Sequence, residues 1–380
     1  MKTEQSIYSP AKGWEKKSDH NLGKLAQLVF LFGNKDLLKE PQYIDFIREA
    51  YPVAQIVGCS TSGEICQEEV FNNNIVVTAV WFESSRIEIA HEHINMMEDS
   101  FMVGEQLAEK LNKEHLVHIM ILSEGLNING SELTKGLNSK LSDRIPVTGG
   151  LAGDQANFAE TVIVHNQAGE KNLVLAIGFY GEHLQVGYGS MGGWDSFGVD
   201  REVTRSKGNI LYELDGHPAL ELYKRYLGDH AANLPASALL FPLSLRLKNS
   251  ETALVRTVLS VNEADGSMVF AGDIPQGEYV RLMKANSDRL IDGAIGAAEM
   301  SKISLKNSFP DLAVLISCVG RKLVLKQRVE EELESVREVI GGNASMTGFY
   351  SYGEICPIKP FEQHCELHNQ TMTITLFKEV

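Results

Sequence analysis

The 380-residue chain lacks long apolar runs and a targeting signal. No segment approaches the roughly 18 uninterrupted apolar residues of a membrane-spanning helix. Residues 1–20 are polar and contain no apolar stretch of the kind that a signal peptide needs. The sequence therefore predicts a cytoplasmic protein with a polar tail over residues 1–20.

Basic charge and cysteine are also scarce. The chain has 35 Lys and Arg against 50 Asp and Glu, a formal charge of −15. That sign argues against broad contact with nucleic acids and with anionic membrane surfaces. An odd number of widely spread cysteines does not indicate a disulfide framework, and reduced thiols suit a cytosolic protein. The five cysteines are Cys59, Cys66, Cys318, Cys356 and Cys365.

Motifs for phosphate binding and for nucleophilic catalysis are missing. The Gly-rich turn GGLAGD at 149–154 does not match a P-loop, and no G-x-G-x-x-G follows the first predicted strand. The hydroxyl residues after Cys59 are not embedded in a G-x-S-x-G elbow. Turn chemistry is therefore the simpler interpretation of Asp154 and Asp273, and we expect a protein that binds a ligand without turning it over.

A nine-residue segment occurs twice. Residues 58–66 read GCSTSGEIC and residues 348–356 read GFYSYGEIC. Each copy follows an apolar run or a Gly-rich turn, which is typical of a strand that runs into a tight loop. The repeat predicts two related substructures, and a pseudo-twofold relation between them.

Each copy of the repeat carries a glutamate beside the core, Glu64 or Glu354. A buried carboxylate must be paired or protonated. Two interpretations follow. Each glutamate accepts hydrogen bonds that hold its own loop, or the two face a shared ligand cavity.

The remaining pattern mixes strands and helices. Short connections between several strands favour antiparallel pairing over strict βαβ alternation. Pro218 and Gly228 bracket a predicted helix, and residues 276–300 show the pattern of a long amphipathic helix. The fold class is α/β, closer to α+β, with two domains of mixed, largely antiparallel sheets flanked by helices. Clefts between domains are favoured ligand positions.

Histidines give few metal patterns. His91 and His93 share one face of a predicted strand, a spacing that is also common on solvated faces. His364, Cys365 and His368 lie close to Cys356 in sequence, but their spacing is not a standard zinc pattern. One accessible imidazole in an apolar pocket would be enough for haem iron.

A set of segments resembles the FIST family in collinear order over about residues 25–380. They include GCSTSGEI, GLNINGSELTKGL, TGGLAGD, LDGHPALELYKRYLG, FAGDIPQGEYVRLMKANSDRLIDGA, TGFYSYGEICP and CELHNQTMTIT. The resemblance implies a FIST N-terminal sensory domain over residues 21–213 and a FIST C-terminal domain over residues 214–380.

The resemblance also implies a function. FIST domains are regarded as intracellular sensory modules of bacterial signal transduction. A subset binds haem, senses nitric oxide and regulates a partner histidine kinase or a cyclic-di-GMP enzyme, and we expect this chain to act in that way. The alternative is a sensor for a small polar metabolite such as an amino acid, without haem.

The expected site follows from the repeat, from the Gly-rich turn and from the resemblance. If haem binds, His368 is the expected proximal ligand, and His364, His217 and His93 are the next candidates. The expected ligand-binding residues are Cys59, Ser60, Ser62, Glu64, Gly150, Asp154, Tyr350, Tyr352 and Glu354.

Overall fold

The computed structural model describes residues 1–141, 145–234, 236–247, 253–359 and 364–380. The strands are β1 Lys2–Ser9, β2 Gly13–Ser18, β3 Leu28–Gly33, β4 Gln55–Ser60, β5 Glu64–Cys66, β6 Glu69–Phe71, β7 Ile75–Trp81, β8 Arg86–His93, β9 Leu116–Ser123, β10 Val147–Leu151, β11 Ile163–His165, β12 Leu173–Tyr180, β13 Leu184–Met191, β14 Asp195–Lys207, β15 Ile210–Leu214, β16 His217–Pro218, β17 Leu243–Arg246, β18 Ala253–Arg256, β19 Val258–Asn262, β20 Ser267–Phe270, β21 Tyr279–Lys284, β22 Leu312–Cys318, β23 Ser345–Ser351, β24 Gly353–Pro357, β25 Cys365–His368 and β26 Met372–Glu379. The α-helices are α1 Lys35–Leu38, α2 Pro41–Ala50, α3 Ser100–Lys110, α4 Gly130–Lys140, α5 Ala219–Leu227, α6 Ser287–Ser304, α7 Val319–Leu325 and α8 Val329–Ile340.

Within the described ranges these strands form three six-stranded sheets and one eight-stranded sheet. Sheet I has the order β11-β4-β3-β7-β1-β2, sheet II β25-β24-β10-β9-β12-β8, and sheet III β13-β26-β22-β23-β5-β6. Sheet IV runs β18-β17-β21-β14-β15-β20-β19, with β16 paired to β15. The α+β class with mixed, largely antiparallel sheets is confirmed. None of the described helices has both the length and the apolar content needed to cross a membrane.

Sheets I to III repeat one arrangement. In each, a first strand runs parallel to a second and antiparallel to a third: β3 with β4 and β7, β9 with β10 and β12, and β22 with β23 and β26. A fourth strand, β1, β8 or β13, extends the sheet beyond the third. We call each such set of four strands, together with the strand that follows the second one along the chain, a unit, numbered I to III after its sheet. The two GEIC loops belong to two of these three units. The repeat therefore predicted two related substructures, and the structure contains three.

The three units exchange strands in a cycle. After the second strand of each unit, the chain crosses to another sheet and pairs with one of its strands. The strand β5 of unit I pairs with β23 of sheet III, β24 of unit III pairs with β10 of sheet II, and β11 of unit II pairs with β4 of sheet I. Each sheet is therefore completed by a neighbouring unit, and strands from both halves of the chain share sheets II and III.

The three sheets share one apolar core. It combines residues of all three units, including Phe32 and Val57 of sheet I, Leu122 of sheet II, and Ile316 and Phe349 of sheet III. Separate clusters on other faces pack against helices, with α3 and α4 on sheet II and α6 and α8 on sheet III. We call sheets I to III with these helices the three-sheet body.

Sheet IV has its own core with α5. It spans residues 195–284, so the expected domain boundary between residues 213 and 214 lies inside β15. The helix expected between Pro218 and Gly228 is confirmed as α5.

The long helix predicted over residues 276–300 is wrong in its first part. Residues 279–284 form β21, where Val280 and Leu282 alternate into the core of sheet IV. The helix α6 begins only after Asn286, whose side chain accepts hydrogen bonds from the backbone N–H groups of residues 288 and 289.

Residues 1–20 are not a tail. They form the hairpin β1–β2, and β1 pairs along its length with β7. Alternate residues Thr3, Gln5 and Ile7 are buried, and the Gln5 amide donates to Thr78 Oγ1 at 3.1 Å and to the Met346 carbonyl at 2.9 Å. The polar composition concealed the strand because two of these three inward positions, Thr3 and Gln5, are polar side chains with hydrogen-bond partners.

Three glycines occupy equivalent positions in the second strands. A Cβ on Gly58, Gly149 or Gly348 would lie 1.8, 2.1 or 1.8 Å from the carbonyl oxygen of its partner on the parallel first strand. The two copies of the repeat thus share a close backbone contact at Gly58 and Gly348, and Gly149 adds a third. Rigid backbone, rather than a movable side chain, excludes a larger residue there.

We predict that Gly58→Ala lowers the free energy of unfolding by about 2–3 kcal/mol, because two hydrogen-bonded strands must separate to admit the methyl group. Denaturant titration measures the change. Gly342→Ala is the matched control, since nothing lies within 4 Å of its Cβ position. Equal stability of the two variants would contradict the prediction.

Candidate functional site

The loops that carry each unit onto the next sheet meet at one point. The Ser62 N–H donates to the Tyr350 carbonyl at 2.8 Å, the Tyr352 N–H to the Leu151 carbonyl at 3.1 Å, and the Gly153 N–H to the Ser60 carbonyl at 2.9 Å. These bonds join equivalent positions of the three units in a closed cycle. We call residues 60–64, 151–155 and 350–354 the crossover node.

Glu64 holds its own loop within the crossover node. The carboxylate is fully buried and accepts hydrogen bonds from Thr61 Oγ1 at 2.7 Å and from the Asn74 N–H at 3.4 Å. Burial raises the pKa of Glu64 to about 7, against the opposing effect of these hydrogen bonds and of the Lys322 charge. The Lys322 ammonium donates to the Ser62 carbonyl of the same loop.

Glu354 makes the equivalent contacts in unit III. Its fully buried carboxylate accepts from Ser351 Oγ at 2.6 Å and from the N–H and Oγ1 of Thr371 at 3.1 and 2.9 Å. Burial again raises its pKa to about 7. The two glutamates have separate partners, so the geometry matches the interpretation in which each carboxylate holds its own loop.

Most of the other predicted ligand residues also lie in the interior. Tyr350 donates its hydroxyl to Glu332, which pairs at 2.8 Å with the buried Arg321. Ser60 Oγ accepts the Val162 N–H at 3.0 Å. Cys59 and Gly150 are fully enclosed. Tyr350 and Ser60 belong to the crossover node, Cys59 and Gly150 directly precede two of its loops, and none of these four residues lines the cleft described below.

Two more predicted residues complete the crossover node. Asp154 pairs with Lys35 at 2.8 Å and accepts the Glu160 N–H at 3.2 Å. Ser62 Oγ donates to the Gln155 carbonyl at 2.7 Å. Together these bonds tie the loop of unit I to the loop of unit II.

Tyr352 is the predicted residue that reaches open space. It lines a cleft of about 70 Å³ between the three-sheet body and sheet IV. Its ring stacks on Phe158 at 4.4 Å between centroids, and its hydroxyl accepts the Phe158 N–H at 3.0 Å. The cleft is lined by Met97, Gly125, Leu126, Ile128, Asn129, Leu151, Phe158, Asn209, Leu259, Phe270, Ala271 and Tyr352, and we call it the Tyr352 cleft.

Two amides supply polar groups to the Tyr352 cleft. Asn209 donates its amide N–H to the Phe270 carbonyl at 2.8 Å, and its amide oxygen makes no hydrogen bond within the described residues. Asn129 donates to Asp273 Oδ1 at 3.0 Å while its amide oxygen caps α4. No charged side chain is present among the described residues that line the cleft.

Sequence reasoning missed Phe158 and the sheet IV side of the cleft. Phe158 has φ of +51°, an unusual conformation for a bulky residue and one that functional sites often hold. No local sequence signal marks it, because the residues that line the cleft come from distant parts of the chain.

His368 does not fit the role of a haem ligand. Its Nε2 lies 2.9 Å from the Cys356 carbonyl oxygen, and the ring is buried in the β24–β25 pair. Burial lowers its pKa to about 4. The Tyr352 cleft is far smaller than a porphyrin. In the parts of the chain that the structure describes, no three His, Cys, Asp or Glu residues are grouped to hold a metal ion. The zinc site considered around His364 and Cys365 is therefore not formed among these residues.

The chain matches known proteins over most of its length. The FIST N domain matches residues 27–217, and the FIST C domain matches residues 219–357. An uncharacterized protein of Methanocaldococcus jannaschii is 21% identical over 346 residues, which cover 83% of this chain and 64% of that protein. The chain thus spans less than two thirds of the length of this relative.

We predict that Glu354→Gln changes how stability depends on pH. Between pH 4.5 and about 7 the unfolded chain ionises Glu354 while the folded chain keeps it protonated. The parent therefore loses stability as pH rises through this range, by about 2–4 kcal/mol on account of this group, and the loss is complete above pH 7. The free energy of unfolding of the glutamine variant should lack this fall between pH 4.5 and about 7.

Chemical denaturation at a series of pH values measures the effect. Glu338→Gln, at an exposed position of α8, is the control and should follow the parent. If the parent and Glu354→Gln gave parallel stability curves, the burial argument for Glu354 would be wrong.

Proposed function

The chain belongs to the FIST family, and from that membership we propose that it is a ligand-binding sensor whose site is the Tyr352 cleft. FIST domains are associated with sensing in signal transduction. The observation that carries the proposal is the position of Tyr352, which belongs to the crossover node and lines a cleft against sheet IV.

The cleft lies where binding can alter the relation between two packed bodies. Sheet IV contacts the three-sheet body through Asp273, which pairs with Lys135 of α4 at 2.9 Å, and through Arg256, which donates to the Leu367 carbonyl at 3.0 Å. These polar contacts lie beside the cleft, and a small apolar cluster of Met283, Leu290 and Leu325 joins sheet IV to α6 and α7 elsewhere. A ligand that contacts both walls therefore favours one position of sheet IV relative to the three-sheet body. Such a shift is a common way in which ligand binding produces a signal.

The lining favours a small polar metabolite. By the measure of about 10–15 Å³ for each water-sized group, a cleft of about 70 Å³ holds roughly five such groups. The free amide oxygen of Asn209 can accept an N–H or O–H from the ligand, and Phe158 and Tyr352 offer aromatic surface. Since no charged side chain lines the cleft in the described residues, uncharged polar groups are preferred.

We also propose that the ligand is bound without turnover. All five thiols are buried, and burial raises their pKa, to about 12 for Cys66. Thiols of this kind are poor nucleophiles. A haem-based nitric oxide sensor has less support, because His368 bonds the Cys356 carbonyl. Regulation of a partner histidine kinase or a cyclic-di-GMP enzyme, in the cytoplasm, stays part of the proposal.

We predict that Phe158→Ala weakens ligand binding about tenfold, because it removes the ring that stacks on Tyr352. A thermal-shift screen of uncharged polar metabolites and amino acids identifies the ligand, and calorimetry measures its affinity for each variant. Phe309→Ala is the control, since Phe309 is another exposed phenylalanine and does not line the cleft. A ligand whose affinity is unchanged by Phe158→Ala and by Tyr352→Phe binds elsewhere, which would overturn the assignment.

The visible spectrum tests the haem-based alternative. We expect that protein incubated with haem and then desalted shows no Soret absorption that depends on His368. A Soret band that is lost in folded His368→Ala would contradict the fit described above and would restore the haem proposal.

A further inference from the structure

A second cavity lies at the edge of sheet I that β1 and β2 form, between this hairpin and α2. It has a volume of about 250 Å³, more than three times that of the Tyr352 cleft, and shares no lining residue with it. One wall comes from the hairpin and the other from α2 and the residue after it. Its side chains include Glu4, Trp14, Glu15, Lys16, Phe46 and Tyr51.

The cavity is rich in aromatic surface. Trp14 and Phe46 stack at 4.6 Å with an interplanar angle of 13°, and Tyr51 lines the same space. Phe46 is 48% exposed although it lies on α2, whose Ile44 and Ile47 are buried. The core does not require a phenylalanine at that position, so the exposed ring is available to a ligand.

The charges around the cavity are mainly negative. Glu4 is buried, and its carboxylate accepts hydrogen bonds from the Tyr51 hydroxyl at 2.7 Å and from two backbone N–H groups at 3.0 Å. Glu15 is half exposed, and its Oε1 lies 3.8 Å from Lys12 Nζ. Lys16 pairs at 2.6 Å with Asp19, so its charge is already matched.

We propose that this cavity is a binding site for a small organic ammonium cation. Aromatic rings attract an ammonium group through their negative faces, and a quaternary ammonium suits them best because it is weakly hydrated and cannot donate hydrogen bonds. Glu4 and Glu15 supply the opposite charge. The combination of three aromatic side chains with two carboxylates around one cavity distinguishes this class of ligand from neutral apolar molecules and from anions.

The backbone at the cavity is shaped by an irregular hairpin. The β1–β2 pairing shifts register between Gln5 and Ser6, and both residues line the cavity. Such bulges re-aim side chains and are enriched beside functional sites. The hairpin also precedes residue 27, where the match to the FIST N domain begins, so one wall of this cavity lies outside the family match and the other, from α2, lies within it.

Choline chloride is the probe, and its uncharged carbon isostere dimethylbutanol is the matched ligand control. Titration calorimetry on the full chain should show saturable binding of choline, and binding of the isostere that is at least about tenfold weaker. Glu15→Gln and Phe46→Leu should each weaken choline binding about threefold to tenfold, and added salt should weaken it in the parent.

Glu49→Gln is the variant control, because Glu49 is an exposed glutamate of α2 that does not line the cavity. It should bind choline as the parent does. Thermal unfolding confirms that each variant is folded. Absence of saturable choline binding, or equal binding of choline and dimethylbutanol, would overturn the proposal. Binding that Phe158→Ala weakens and Phe46→Leu does not would place the cation in the Tyr352 cleft and would overturn it too.

Discussion

The cycle of backbone hydrogen bonds at the crossover node is the interaction on which the rest of the molecule depends. Three loops from distant parts of the chain each donate one N–H to the next loop, from Ser62, Tyr352 and Gly153. Just before each loop, the second strand of the unit approaches its parallel partner so closely that a Cβ would clash with a backbone carbonyl oxygen. Removal of one loop would leave one neighbouring sheet without its edge strand.

The buried carboxylates serve the same arrangement. Glu64 and Glu354 follow the turning points of two loops, and each accepts a hydroxyl hydrogen bond from the residue three positions earlier. In unit II the corresponding positions are Asp154 and Gln155, and there Asp154 relies on the Lys35 ion pair instead. Buried ionisable groups thus stabilise the loops of the crossover node. Tyr352, which belongs to the same node, also lines the cleft.

The sequence revealed the parts of this fold that repeat visibly or follow local rules. The helix between Pro218 and Gly228 formed as expected because its start and stop signals are local. The GEIC repeat identified two of the loops, whereas the third, GGLAGDQ, was not recognised as a copy because it has Asp-Gln where the other two have Gly-Glu. The strand over residues 279–284 was mistaken for helix because its apolar spacing also fits a helix. The Tyr352 cleft could not be predicted, since Phe158 and Asn209 meet only through tertiary packing.

The cyclic exchange of strands also sets the order in which the molecule can be made. During synthesis, sheet I can close early, since its strands all lie before residue 166. Sheets II and III must wait for strands beyond residue 344, so the inner faces of the first two units stay uncovered while more than half of the chain emerges. Contacts this distant in sequence slow folding and leave edges that attract other chains. A ribosome-bound fragment of this protein is therefore a natural client for chaperones until β26 arrives between β13 and β22.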